Sequence, residues 1–192
     1  MARPRMIVVA GPPGSGKTRS FPVSAFGADA FNIDDRCAQI LGSYRAIPRD
    51  VRRAVAKECE RFVLDHIERG QSFAVETTLR TTAAIDQAVL ARQKGVVTDM
   101  HFIATDSIDE NIARVIQRAQ AGGHGASERE IRAIHHASIA NLAAAMGVFD
   151  RVRIYDSTAR WSPPLLVAVA RAGRVVRQGI TPKWLDAVLG QR

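Results

Sequence analysis

Eight consecutive residues carry the clearest chemistry in this chain. Gly11-Pro12-Pro13-Gly14-Ser15-Gly16-Lys17-Thr18 fits the pattern GxxxxGK[ST] and follows directly on the apolar run Met6-Ile7-Val8-Val9-Ala10. A loop of this composition wraps a polyanion and turns backbone N–H groups toward it. Gly11, Gly14 and Gly16 permit the positive φ angles and close approach that this needs. Lys17 can reach β- and γ-phosphates, and the Thr18 hydroxyl can ligate Mg²⁺. A helix starting near Gly16 adds its free N–H groups and dipole to the same anion site. An ordinary Gly/Pro turn is the competing reading, but the strand before and the helix after the motif argue for binding of a nucleoside triphosphate with Mg²⁺.

In a parallel sheet, ligands gather at the carboxyl ends of the strands. The polar residues expected there are Asp34 and Asp35 after the second strand, and Glu76, Thr77, Thr78 and Arg80 after the third. Phosphoryl transfer needs an acceptor hydroxyl in line with the γ-phosphate, a base beside it, Mg²⁺, and positive charge over the equatorial oxygens. Asp34 is the expected base, with Asp35 as the fallback because one register points into the site; Asp34 could equally N-cap a helix beginning near Arg36. Glu76 could hold the Mg²⁺ water shell or bind acceptor hydroxyls. Arg118 and Arg114 could swing over the transferring phosphate, or simply be solvated helix arginines. His124 could touch a phosphate or the nucleotide, or face solvent.

The elements that must position these groups alternate short apolar runs with helical stretches, which predicts an α/β fold with a parallel sheet flanked by helices. Five strands are expected, at residues 6–10, 30–33, 72–75, 100–104 and 152–155. Pro22 cuts the helix after the loop short. A helix from Pro48 to Gly70 carries the stripe Val51, Val55, Cys59, Phe62, Val63, Ile67, and another runs over 82–94. Ser107 with Glu110 and Ser127 with Glu130 read as capping boxes opening two more helices. Between them, Gly122-Gly123-His124-Gly125 is too glycine-rich to be helical, so residues about 114–127 are read as a lid. Residues 163–190 read as an antiparallel hairpin turning at Ala172-Gly173, then a short helix opened by Pro182.

The 192 residues suit one domain, with no composition break or linker. The N-terminal apolar run is too short for a signal peptide or a membrane span, so a cytoplasmic protein is expected. Cys37 and Cys59 are read as packed thiols. A formal charge of +8 invites a nucleic-acid partner, but 23 of the 27 basic residues are arginines spread along the chain, which disfavours one. One local cluster, Arg49, Arg52, Arg53 and Lys57, shares a helix face; it reads as a solvated face or as a surface for an acidic substrate or partner.

The ordered set of residues 11–18, Asn32-Ile33-Asp34, Glu76-Thr77-Thr78-Leu79, Arg118 to His124, Asn141-Leu142 and Tyr155-Asp156-Ser157 resembles the zeta-toxin-like P-loop kinases, including the bacterial group labelled predicted ABC-type ATPase. The resemblance covers nearly the whole chain. It implies the three-layer P-loop NTPase fold, ATP and Mg²⁺, Lys17 and Thr18 as phosphate-loop lysine and metal ligand, Asp34 as the residue that activates the acceptor, and Arg118 as the lid arginine. Zeta toxins phosphorylate a sugar hydroxyl of UDP-N-acetylglucosamine and are held inactive by a small antitoxin. The lid here departs from theirs, with Gly122-Gly123-His124 where they carry a second arginine. The expectation is an ATP-dependent small-molecule kinase acting on an alcohol group. The alternative is a regulatory ATPase with slow hydrolysis and a basic partner-binding surface.

Overall fold

The run Met6–Ala10 forms an interior strand of the sheet because it is apolar on both faces, as a strand covered on both sides must be. In the computed structural model, which describes residues 3–123, 125–160, 162–179 and 181–190, this strand is β1 (Arg5–Ala10). It pairs in parallel with β3 (Phe73–Thr77) on one side and β4 (Val97–Ala104) on the other. The short β2 (Asp29–Phe31) adds outside β3, and β5 (Arg151–Asp156) outside β4, both parallel.

These five parallel strands are the expected ones, but the sheet does not stop there. The hairpin of β6 (Leu165–Arg171) and β7 (Arg174–Arg177) continues it, β6 pairing antiparallel with β5, so the order over seven strands is β2-β3-β1-β4-β5-β6-β7. The physical reason is that β5 would otherwise expose an unpaired edge, and the hairpin supplies its partners. A second correction concerns β2. It ends at Phe31 rather than at Ile33, because the Asn32 side chain accepts from the N–H groups of Asp34 and Asp35 and starts helix α2 (Ile33–Leu41).

One face of the sheet carries α3 (Arg49–Arg69), α4 (Ala83–Gln93), α6 (Glu128–Val148) and α7 (Lys183–Leu189), which together bury Val63, Ile67, Ile85, Ala88, Leu142, Met146 and Leu185 against Val8, Phe73, Phe102 and Ile154. α5 (Ile108–Gln120) packs on α6 through Ile112, Val115 and Ile131. Ser107 and Ser127 both cap as expected, Ser127 with the full reciprocal box to Glu130. The opposite face is covered differently. α1 (Lys17–Ser20) is one turn long, and a 3₁₀ turn at Val23–Phe26 follows Pro22, so a small cluster of Phe21, Val23 and Phe26 over Ile7, Val9, Ala74 and Ile103 takes the place of a long helix.

Beyond that cluster the second face is polar. Asp99, 1 % exposed, is held there by Arg5 and by Arg151 at 2.6 Å, with Arg153 at 3.7 Å. Burial works to raise the Asp99 carboxyl, but hydrogen bonds from Arg151 and Arg5 outweigh it and hold it below the ordinary carboxylate value. A carboxyl lowered on folding contributes stability above its unfolded pKa, and that contribution disappears as pH falls through the folded value. Asp99→Asn is therefore expected to lower stability by about 2–3 kcal/mol at neutral pH, by leaving three arginines without their shared anion. In chemical denaturation, the gap between variant and wild type should narrow below about pH 4.

Candidate functional site

The loop at residues 11–16 joins β1 to α1 at the carboxyl end of the sheet, and its backbone is built to curve. Gly14 has φ +77°, and a Cβ there would sit 2.5 Å from the backbone oxygen of Asn111 on α5, so no larger residue fits. The Ser157 hydroxyl, just past β5, donates to Ser15 O at 2.7 Å and fastens the loop to the sheet. Ser15 Oγ is fully buried within the loop and has no hydrogen-bond partner. An orphan hydroxyl inside a glycine cradle suits an anion that brings its own acceptors. Lys17 closes the loop on itself, Nζ donating to Gly11 O at 2.8 Å and Pro12 O at 3.0 Å. Burial pushes the Lys17 ammonium below the ordinary lysine value; Glu76 opposes this, Arg118 adds to it, and Asp34 opposes it. Three charges from β3, α5 and α2 thus act on one ammonium.

Glu76 faces the loop because β3 lies beside β1 in register, Val9 against Glu76. Its Oε2 accepts from Thr18 Oγ1 at 2.8 Å and from Asn32 Nδ2 at 3.2 Å, while Oε1 stands 4.0 Å from Lys17 Nζ. The adjacent Thr18 hydroxyl and Glu76 carboxylate are hard oxygen donors. They suit Mg²⁺, which takes few protein ligands and completes its shell with water and phosphate oxygens. Among the described residues no group of three His, Cys, Asp or Glu side chains gathers as a fuller metal site.

Asp34 is not the N-cap of its helix. Asn32 holds that position, and Asp34 lies in the first turn, bonded to Arg52 Nη1 at 2.9 Å. Asp35 turns the other way and accepts from Tyr44 OH at 3.0 Å. The two aspartates therefore diverge, with Asp34 near Lys17. Thr77 Oγ1 accepts from Leu79 N, Leu79 takes a left-handed φ of +55°, and Asn141 Nδ2 secures Leu79 O at 2.9 Å. A leucine held in that conformation costs about 1 kcal/mol, and such strain persists only where the surroundings impose it. Thr78 is half-buried in this turn, and Arg80 is exposed beyond it.

On the lid side, Arg114 donates to Glu110 at 2.9 Å and to Ser157 O at 3.0 Å, with Gly14 O at 3.5 Å, so it braces α5 against the loop. Arg118, one turn on, is exposed. A Cβ at Gly123 would lie 2.6 Å from Arg118 Cγ, so the glycine is what lets the chain fold back over that side chain. Arg45, from the connection between α2 and α3, lies against Gly122, where a Cβ would sit 3.3 Å from its Nη2. His124 falls outside the described residues.

Four partnerships here were not read from the sequence: Asn32 as cap and Glu76 partner, Arg52 on Asp34, Ser157 on the loop, and Arg45 beside the lid. Only Asn32 carried a local signal, since asparagine before a helix is a strong N-cap.

No family model matches the chain, and no curated protein matches it in sequence. Solved structures do match in fold. A chain of the AvrRxo1-ORF1:AvrRxo1-ORF2 complex with sulphate ions superposes with a TM-score of 0.72 at 16 % identity, covering 97 % of this chain and 64 % of its own length. The AvrRxo1-ORF1:-ORF2 structure with ATP gives 0.67 at 16 % identity, covering 92 % and 61 %. The PezAT chromosomal toxin-antitoxin system of Streptococcus pneumoniae gives 0.59 at 19 % identity, covering 81 % and 69 %. This chain thus has the α/β P-loop fold of those proteins, and it spans less than two thirds of the AvrRxo1 chains it matches.

The loop geometry separates two glycines of the motif. Gly16 also has positive φ (+86°), but a Cβ there would meet only Ser20 Oγ at 4.0 Å. Gly16→Ala should cost about 1 kcal/mol, from backbone strain alone, whereas Gly14→Ala, which must also displace α5, should cost about 3 kcal/mol. Thermal unfolding of the nucleotide-free protein measures both.

Proposed function

We propose that this chain is an ATP-dependent kinase of the zeta-toxin-like P-loop type, which transfers a γ-phosphate to a hydroxyl of a small metabolite, a nucleotide sugar such as UDP-N-acetylglucosamine being the acceptor to test first. One observation carries the reading: at the mouth of the glycine loop the Glu76 carboxylate accepts from Thr18 Oγ1 at 2.8 Å and stands 4.0 Å from Lys17 Nζ, and Asp34 and Arg118 act on the same ammonium from α2 and α5. A loop that served binding alone has no need of a carboxylate and a lid arginine brought together from separate elements.

In this reading the loop N–H groups and Lys17 hold the β- and γ-phosphates, Lys17 exchanging the carbonyls of Gly11 and Pro12 for phosphate oxygens. Gly11, Pro12, Pro13, Gly14, Ser15 and Gly16 form the cradle, Arg114 braces it, and His124 is a further nucleotide contact. Asp34 takes the proton of the acceptor hydroxyl as the new O–P bond forms and the bond to the β–γ bridging oxygen breaks. Arg52 is a positioning residue that orients Asp34. Glu76, Thr77, Thr78 and Arg80 line the acceptor side, and Arg118 covers the equatorial oxygens. Mg²⁺, held by Thr18 and by Glu76 through water, would supply the charge that offsets the triphosphate.

Residues 1–192 act as one unit in this proposal. A small antitoxin partner belongs to it too, since the structures of like fold come from a two-protein complex and a toxin-antitoxin system. No helix among the described residues is long and apolar enough to cross a membrane.

Lys17→Ala and Asp34→Asn should each lower phosphotransfer by at least about 10²–10³-fold, and Arg118→Ala by about 10³-fold, without unfolding the protein. A radiolabelled γ-phosphate screen over nucleotide sugars and other hydroxylated metabolites measures this. Full transfer by Asp34→Asn would remove Asp34 from the role of base.

A further inference from the structure

The register across β4 to β7 sets residues in rows, and side chains in one row point to one face. The first row on the face away from the four helices reads Asp99, Arg151, Arg171, Arg174; the next reads His101, Arg153, Val169, Val176. Three arginines therefore stand side by side on adjacent strands. Asp99 is already shared by Arg5, Arg151 and Arg153, and no ion pair among the described residues engages Arg171 or Arg174. Like charges directly opposite one another on paired strands are destabilising. A row of this kind works against the fold.

The second row is apolar at the same edge. Val176 is 60 % exposed, and Val169, Arg171, Arg174, Val176 and Gln178 line a shallow groove of about 440 Å³. β7 is the last strand of the sheet, so its outer backbone groups are unpaired by any strand. Its alternate residues divide cleanly: Arg174 and Val176 face the open side, while Val175 packs toward the core and Arg177 is 3.1 Å from Asp186 of α7.

We propose that this face binds a partner protein through an extended segment, added along β7, in which an acidic residue and an apolar residue stand two positions apart. The spacing follows from the strand period: the acidic side chain stands beside Arg174 at the end of the arginine row, and the residue two along stands beside Val176, at the edge of the groove that Val169 also lines. Charge complementarity selects the acid and the groove selects the apolar neighbour. A nucleic acid would satisfy the arginines with phosphates but would leave valines against a charged backbone, so a protein segment fits better. The surface lies on β5 to β7, away from the phosphate loop, and the proposal stands independently of the kinase reading.

The test uses the full chain and a fluorescein-labelled peptide, Glu-Thr-Val-Thr-Glu-Thr-Val, at low salt. Two controls accompany it: the same residues reordered so that glutamate and valine are adjacent, and a labelled single-stranded oligonucleotide. Saturable anisotropy binding is expected, weakened at least about tenfold in Arg171→Glu/Arg174→Glu and severalfold for the reordered peptide. Arg171→Gln/Arg174→Gln, which relieves the repulsion, should melt no lower than wild type and also lose the peptide, which separates recognition from misfolding. Three results would each overturn the proposal: no saturable binding at millimolar peptide, in which case the arginines serve only to keep an edge strand from pairing; binding unchanged in both variants; or tighter binding of the oligonucleotide than of the peptide.

Discussion

Glu76 is the group on which the candidate site turns. One carboxylate oxygen accepts from Thr18 at the end of the phosphate loop and from Asn32 at the start of α2, and the other faces Lys17. Three strand ends are thereby tied together through a single side chain. The arrangement depends on β3 lying next to β1 in a register that sets Glu76 beside Val9; a slip of one residue would turn the carboxylate to the opposite face. Asn32 gains from the same contact, since its amide donates to Glu76 while its oxygen caps the helix that carries Asp34. Capping, acid placement and loop closure are therefore one partly exposed network, in which each hydrogen bond orients the next.

The other half of the loop rests on hydrogen bonds across greater sequence distance. Ser157 reaches Ser15, and Arg114 ties Ser157 O to α5, whose Asn111 backbone leaves no room at Gly14. Thr105 completes the brace by donating to Asn111 Oδ1. The loop is thus held from below by β4 and β5 and from the side by α5, and Ser15 Oγ is left unpartnered within it. A cradle fixed before its ligand arrives avoids the ordering cost of forming one on binding.

The two faces of the sheet differ because α1 is so short. Pro22 and the 3₁₀ turn after it leave one aromatic cluster where a longer helix would lie, and the rest of that face stays polar. His101 shows the consequence. It stacks on Tyr155 with ring centroids 5.8 Å apart, and burial together with Arg153 pushes its pKa down to about 4, so it is neutral beside three arginines, Arg153, Arg151 and Arg5, at physiological pH. Positive charge accumulates on this face because helices do not cover it, and a charged side chain is tolerated only where it can reach water or a shared anion.

What the amino-acid sequence determined by itself is whatever is encoded in contiguous or helically spaced residues. The phosphate loop is eight adjacent residues, the Ser127 box spans one turn, and the five parallel strands are apolar runs bounded by turn residues. Glu76 was legible as a strand-end carboxylate and Asp34 as a site carboxylate, although Asp34 stands in the first turn of α2 and not at the end of β2. Which partners they take was not: Arg52 reaches Asp34 from α3, Thr18 reaches Glu76 across 58 residues, and Ser157 reaches Ser15 across 142. The arginine row is the clearest case, since Arg151, Arg171 and Arg174 are ordinary scattered charges until strand pairing aligns them. Local propensity acts within a turn or a strand, whereas strand order and register are settled by burying one face of the whole sheet, so only the tertiary structure could decide them.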